Sequence, residues 1–147
     1  MSERVICELQ RIDESVPIPS YAHEADNGLD LCSAEDKTIM PGERLRLRLG
    51  LFLEVPSGYR AVLQSRSGLA AQQGVAVFDA PSPVALAQGE ELTVLLANYD
   101  LHTPCHIHKG DRVAQLVIEC IPSFSFRVVD SLEETDRGAG GFGSSGH

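Results

Sequence analysis

Between Arg44 and Leu53 every second residue is a leucine. Leu45, Leu47, Leu49, Leu51 and Leu53 alternate with Arg44, Arg46, Arg48, Gly50 and Phe52. Along an extended chain successive side chains point to opposite faces, so this spacing puts leucine on one face and mostly arginine on the other. A helix would scatter the same leucines around its axis. The pattern predicts a half-buried strand running to Leu53. Pro41-Gly42 before it and Pro56-Ser57-Gly58 after it are turn signals. Further strands are predicted over 59–63, 91–97, 112–120 and 124–129, which are rich in Val, Leu, Ile and Phe. Long helical periodicity is absent; one short helix is expected over 68–73, after Arg66-Ser67. Many short strands separated by Pro/Gly turns imply an all-β barrel or sandwich.

A chain of 147 residues, 43% of them hydrophobic, is expected to form one globular domain with a real core. The formal charge of −9 argues against an extended nucleic-acid surface, which needs a basic face. A small anionic ligand stays possible, because a few arginines and backbone amides suffice to hold one. Cys7, Cys32, Cys105 and Cys120 form no CxxC pair and read as free thiols of a reducing compartment. No apolar run approaches the ~18 residues of a membrane span, and Met-Ser-Glu-Arg is not a signal-peptide start. The expectation is a cytoplasmic protein without a membrane partner.

Four segments carry candidate chemistry. In Asn27-Gly28-Leu29-Asp30-Leu31-Cys32-Ser33-Ala34, Asp30 opens a strand; alone it reads as a turn acid. In Ser65-Arg66-Ser67-Gly68-Leu69-Ala70, the start of a short helix would offer free N–H groups to an anion beside Arg66 and Ser67. The plainer reading is a serine capping a surface helix. In Lys109-Gly110-Asp111-Arg112-Val113-Ala114-Gln115-Leu116, Gln115 lies on the polar side of the alternation and could donate to a phosphate or simply face solvent. The fourth is the tail, Arg137-Gly-Ala-Gly-Gly-Phe142-Gly143-Ser144-Ser145-Gly-His147. Its glycines let backbone amides approach a ligand, Arg137 could fork onto phosphate oxygens, and Ser144 and Ser145 could donate to them. Phe142 could lie on a flat base. Gly/Ser runs also make ordinary flexible linkers.

In this order and spacing the four segments resemble the trimeric dUTP pyrophosphatase (dUTPase) family, from about Val5 to Gly146. The resemblance implies a jelly-roll β-barrel over 1–132 and a flexible glycine-rich tail over 133–147 that closes on the ligand. It implies a homotrimer with active sites between subunits, and Mg²⁺ bound through the triphosphate rather than by a protein metal site. Water would attack the α-phosphorus of a deoxynucleoside triphosphate, dUTP foremost, releasing monophosphate and pyrophosphate. By position, Arg66, Ser67 and Gly68 would hold the phosphate chain and Gln115 the α-phosphate region. Arg137, Gly143, Ser144 and Ser145 would close over the outer phosphates, with Phe142 on the base. Asp30 would support the water and its neighbours from behind. Such chemistry needs charge neutralisation and positioning more than covalent help.

One part of the family pattern is replaced. The family resembles Gly-Xaa-Ile-Asp-Xaa-Xaa-Tyr-Arg-Gly-Glu, preceded by an Asn, in a hairpin that reads base and sugar. Counted without gaps, the water-activating Asp falls on Ala85, the sugar-packing Tyr on Gln88 and the base-reading Asn on Asp79. Losing a general base costs roughly 10²- to 10⁴-fold in rate. A carboxylate accepts where an amide also donates, so Asp79 would suit a donor-rich base edge, or else be a turn residue. Three accounts follow. Asp79, Glu90 or Asp30 takes over water activation; or the chain binds nucleotide with little catalysis or altered base preference; or it resembles the related dCTP deaminases. The last is disfavoured, because 92–97 lacks their glutamate and the tail is not theirs. His102, Cys105, His106 and His108 cluster, but no acidic or Cys partner at ligand spacing completes a metal set, and a polar strand edge is the simpler reading.

Overall fold

The computed structural model describes residues 4–21, 28–84 and 89–133. Among them, eleven short strands and one helix follow in the order β1 Glu8–Arg11, β2 Leu29–Cys32, β3 Lys37–Ile39, β4 Arg44–Arg48, β5 Leu51–Glu54, β6 Tyr59–Gln64, α1 Ser67–Gln73, β7 Val75–Val77, β8 Ser82–Pro83, β9 Thr93–Asn98, β10 Cys105–Ile107 and β11 Arg112–Cys120. All strand pairs are antiparallel. They form two-stranded sheets β1-β5 and β10-β3, a four-stranded sheet β2-β11-β6-β8 and a three-stranded sheet β4-β9-β7. The fold is the expected all-β jelly roll with one short helix.

The leucine alternation is two strands rather than one. Leu47, Leu49 and Leu51 are all buried in the main core, so the period of two survives. The chain changes sheets at Gly50, whose φ is +71°. β4 pairs with β9, while β5 pairs with β1. A Cβ at Gly50 would lie 3.2 Å from both Ala34 Cβ and Val16 Cγ2, so the bend needs a glycine for its dihedral and for its close packing. The core that this bend wraps is one cluster holding Leu31, Ile39, Leu47, Val75, Leu96 and Val113 with their neighbours.

Buried Asn98, at the end of β9, closes the side of the barrel near the helix. Its Nδ2 donates to the carbonyls of Ile39 (2.9 Å) and Thr103 (3.0 Å), and its Oδ1 accepts from the Asp100 amide at 3.0 Å. The amide is satisfied at both ends, which is what allows a polar group there.

The strand expected over 124–129 is not formed within this chain. The segment is not hydrogen-bonded into any of its sheets, and Phe124, Phe126 and Val128 are 77%, 88% and 94% exposed. Their spacing is that of a strand, but no strand among the described residues pairs with them. The tail over 133–147, with Arg137, Phe142, Gly143, Ser144 and Ser145, lies outside the described residues apart from Glu133, as do Ala85 and Gln88.

Candidate functional site

The site is built where β2, the β6–α1 junction and the start of β11 meet. Register places Asp30 of β2 opposite Gln115 of β11, and Gln115 opposite Gln64 of β6. A register shift between Arg112 and Ala114 interrupts the β2–β11 ladder just before that point. Such a bulge re-aims the side chains beside it. The Arg112 guanidinium reaches Asp30 Oδ2 at 3.7 Å, and Arg66 Nε donates to Asp30 Oδ1 at 3.2 Å. Arg66 Nη1 also donates to the Arg112 carbonyl at 3.3 Å. Asp30 is 4% exposed, whereas the side chains of Arg66 and Arg112 keep 27% and 54% of theirs. One buried carboxylate thus anchors two cations that still look outward. Asp30 Oδ2 has no hydrogen-bond partner among the described residues.

Arg66 immediately precedes α1, in extended conformation (φ −84°, ψ 128°), and no side chain caps the helix. The plainer reading of Ser67 as a cap therefore fails: Ser67 lies inside the first turn, exposed, with Gly68 beside it. The first amides of the turn are left without side-chain partners. Ser65 fixes this junction from behind, its hydroxyl accepting from the Val77 amide at 2.9 Å. Gly74 ends the helix in the left-handed region (φ 69°), where a Cβ would meet the Asp100 amide nitrogen at 3.1 Å.

Beside the two arginines opens a cleft of about 560 Å³ between α1, β10 and the β10–β11 turn. The turn is held by Asp111 Oδ2, which accepts from the His108 amide (2.8 Å), and by Asp36, which accepts from the Lys109 amide (2.8 Å). Burial raises the thiol pKa of Cys32, beside Asp30, and of Cys105, behind the cleft. Neither thiol is a ready nucleophile.

Of the expected residues, the fold brings Asp30, Arg66, Ser67, Gly68 and Gln115 into one region. Asp79 is elsewhere, in the exposed turn after β7, where its Oδ2 accepts from the Ser82 hydroxyl at 3.1 Å. Among the described residues no group of three or more His, Cys, Asp or Glu could hold a metal ion. His106 instead pairs its Nδ1 with the Thr38 hydroxyl at 3.0 Å. Two participants were not singled out from sequence. Arg112 stands in the quoted Gly-Asp-Arg segment, but only the bulge shows that it turns to Asp30. Ser65 gave no signal beyond its place before Arg66.

A family model described as dUTPase matches residues 14–146. The chain belongs to the dUTPase family. A deoxyuridine 5'-triphosphate nucleotidohydrolase of Thermobifida fusca is 46% identical over 139 residues, covering 95% of this chain and 78% of the relative. One from Nocardia farcinica is 42% identical over 138 residues, covering 94% and 84%. Among solved structures, the dUTPase of Staphylococcus bacteriophage 80alpha with dUpNHpp superposes with a TM-score of 0.78 at 23% identity, covering 97% of this chain and 99% of that one. A mutant dUTPase of phage phi11 of S. aureus, described with a structural Mg(II) ion, gives 0.74 at 21% identity, covering 88% and 99%. At these identities the phage structures speak to the dUTPase fold. No helix among the described residues is long and apolar enough to cross a membrane.

Proposed function

We propose that this chain hydrolyses dUTP to the monophosphate and pyrophosphate. The observation that carries this is the Asp30–Arg66–Arg112 cluster with Gln115 beside it. Residues far apart in the chain converge on a patch of cations and hydrogen-bond donors, in a protein of the dUTPase family. Arg66 and the amides of Ser67 and Gly68 hold the phosphate chain, and Gln115 positions the α-phosphate. Water attacks the α-phosphorus as the bond to the bridging oxygen breaks, and pyrophosphate leaves with that oxygen. Asp30 acts by positioning, because both its oxygens face guanidinium groups. Asp79 is the carboxylate assigned to accept the proton of the attacking water, brought to the cluster by a neighbouring copy of the trimer, since within one chain it lies elsewhere. Arg137, Gly143, Ser144 and Ser145 close on the outer phosphates, and Phe142 stacks on the base.

The donor set is cationic and suits phosphate oxygens rather than a bare metal. Mg²⁺ therefore enters on the triphosphate, and when bound it neutralises part of the phosphate charge. The reading also makes the protein a homotrimer in the cytoplasm. Ile121, Phe124, Phe126, Val128, Val129 and Leu132 expose a row of apolar side chains along an unpaired extended arm, which a neighbouring copy would cover.

A second reading rests on Ala85, which has no proton-accepting group where the family pattern has an acid. It makes the protein a nucleotide binder of little activity. Incubation with each deoxynucleoside triphosphate and Mg²⁺ separates the two. Pyrophosphate release from dUTP supports hydrolysis, and thermal stabilisation by an uncleaved nucleotide supports the binder. Asp79→Asn should lower the maximal rate while leaving dUTP affinity within about threefold, as expected of a proton acceptor.

A further inference from the structure

The turn that bears Asp79, over 78–81, carries the chain from one sheet to another. β7 before it belongs to the β4-β9-β7 sheet, and β8 after it to the β2-β11-β6-β8 sheet. Its two roots therefore stand where the two sheets put them, and its own geometry does not fix the distance to Arg66. Both roots are tied to the strand that leads into Arg66. After the turn, Ser82 and Pro83 of β8 pair with Leu63 and Val62 of β6, and the Val84 amide donates to the Ala61 carbonyl at 2.9 Å. Before the turn, half-buried Ser65, just past the end of β6, accepts from the amide of Val77 at 2.9 Å. The other contacts of that first root run within its own sheet. Val77 is in register with Leu96, the Phe78 amide donates to the Leu95 carbonyl at 2.9 Å, and the Arg44 guanidinium lies 4.7 Å from the centre of the Phe78 ring. Ser65 supplies the hydrogen bond that crosses from the Arg66 strand to this root.

We propose that Ser65 is a positioning residue for hydrolysis: through the Val77 amide it sets the Asp79 turn at a fixed place relative to Arg66, its neighbour in the chain. The inference rests on the reading of Asp79 as the acceptor of the water proton in a neighbouring copy's cluster. On that reading Arg66 serves one site and Asp79 the next, so the span that Ser65 fixes is the one between adjacent sites of the trimer. A carboxylate that takes a proton has to stand within hydrogen-bond reach of the water, and slack at the root of its turn carries it out of reach. Ser65 itself touches neither water nor phosphate in this role.

The test compares Ser65→Ala, Ser65→Thr, Asp79→Asn and the double variant of Ser65→Ala with Asp79→Asn, all in the full-length protein. kcat and KM are measured with dUTP and Mg²⁺, and hydrogen exchange is followed at the Val77 amide. Ser65→Ala should speed that exchange and lower kcat by about tenfold with KM within about threefold, short of the roughly hundredfold that a full ångström of misplacement can cost. Ser65→Thr, which keeps the hydroxyl, should recover most of both. In the double variant the two losses should not multiply, because once Asp79 cannot take the proton the placement of its turn no longer matters. A serine that served the fold alone would slow both backgrounds alike. Losses that multiply, Val77 exchange that Ser65→Ala leaves unchanged, or quickened exchange with kcat unaltered each refute the positioning role and leave dUTP hydrolysis standing. Asp79→Asn turning over as fast as the wild type overturns this role and the Asp79 assignment together. A wild type without turnover overturns both along with hydrolysis itself. Should Ser65→Ala not fold, Ser65→Cys, whose sulfur is a weak acceptor, carries the same comparison with the same signs expected.

Discussion

Replacing Asp30 by Asn tests whether the carboxylate matters for holding the arginines rather than for holding the fold. The substitution keeps shape and removes the charge. Taking one partner from a buried ion pair typically costs about 3–5 kcal/mol, because the other charge is stranded. Here the stranded charges are not sealed in: the Arg66 and Arg112 side chains are 27% and 54% exposed and can turn to water. Asp30 Oδ2 also lacks a hydrogen bond among the described residues, so part of the native carboxylate's desolvation is uncompensated and is relieved by the change. The net loss should be about 1–2 kcal/mol, read from urea denaturation at fixed protein concentration. Nucleotide affinity should fall more, by about tenfold or greater, because two guanidiniums lose their fixed aim. Calorimetric titration with a non-hydrolysable dUTP analogue measures that loss. A variant that binds the analogue as the wild type does, or that loses more than about 4 kcal/mol, refutes the reasoning.

Three further expectations follow from the same interactions. Asn98→Asp turns a carboxylate toward the Ile39 and Thr103 carbonyls that now accept from Nδ2, and should cost about 3 kcal/mol or more; a loss under about 1 kcal/mol contradicts that accounting. Gly50→Ala meets both a positive φ and 3.2 Å contacts, and should destabilise by about 1–3 kcal/mol, measured as a lower denaturation midpoint at unchanged m-value. Because burial raises the thiol pKa of Cys32 and Cys105, the thiolate forms only as pH rises. Iodoacetamide labelling at both should be far slower than in the unfolded chain at neutral pH and should accelerate with pH; rates equal to those of the unfolded chain would disprove this.

Much of the barrel was legible because burial on a sheet imposes a period of two, and Leu45 to Leu53 keep it even across the bend. The bend itself was not read from the sequence, although Gly50 interrupts the arginine face where it occurs. The helix was found within one residue of its start, since Ser-Gly before a short non-alternating run gives it away. Asp30, Arg66 and Gln115 were named through a family pattern; nothing in their local sequence says that they lie together, because that placement is made by strand register. Arg112 escaped because a bulge is a property of two paired strands. The strand expected over 124–129 from its composition did not form, because composition alone does not supply a pairing strand and none among the described residues pairs with it.

The most direct measurement is product analysis of dUTP incubated with Mg²⁺ and the purified full-length protein. The account predicts dUMP and pyrophosphate in equal amounts, abolished or sharply slowed by Arg66→Ala. No turnover above the uncatalysed rate, with dUTP recovered intact at millimolar concentration, would contradict it.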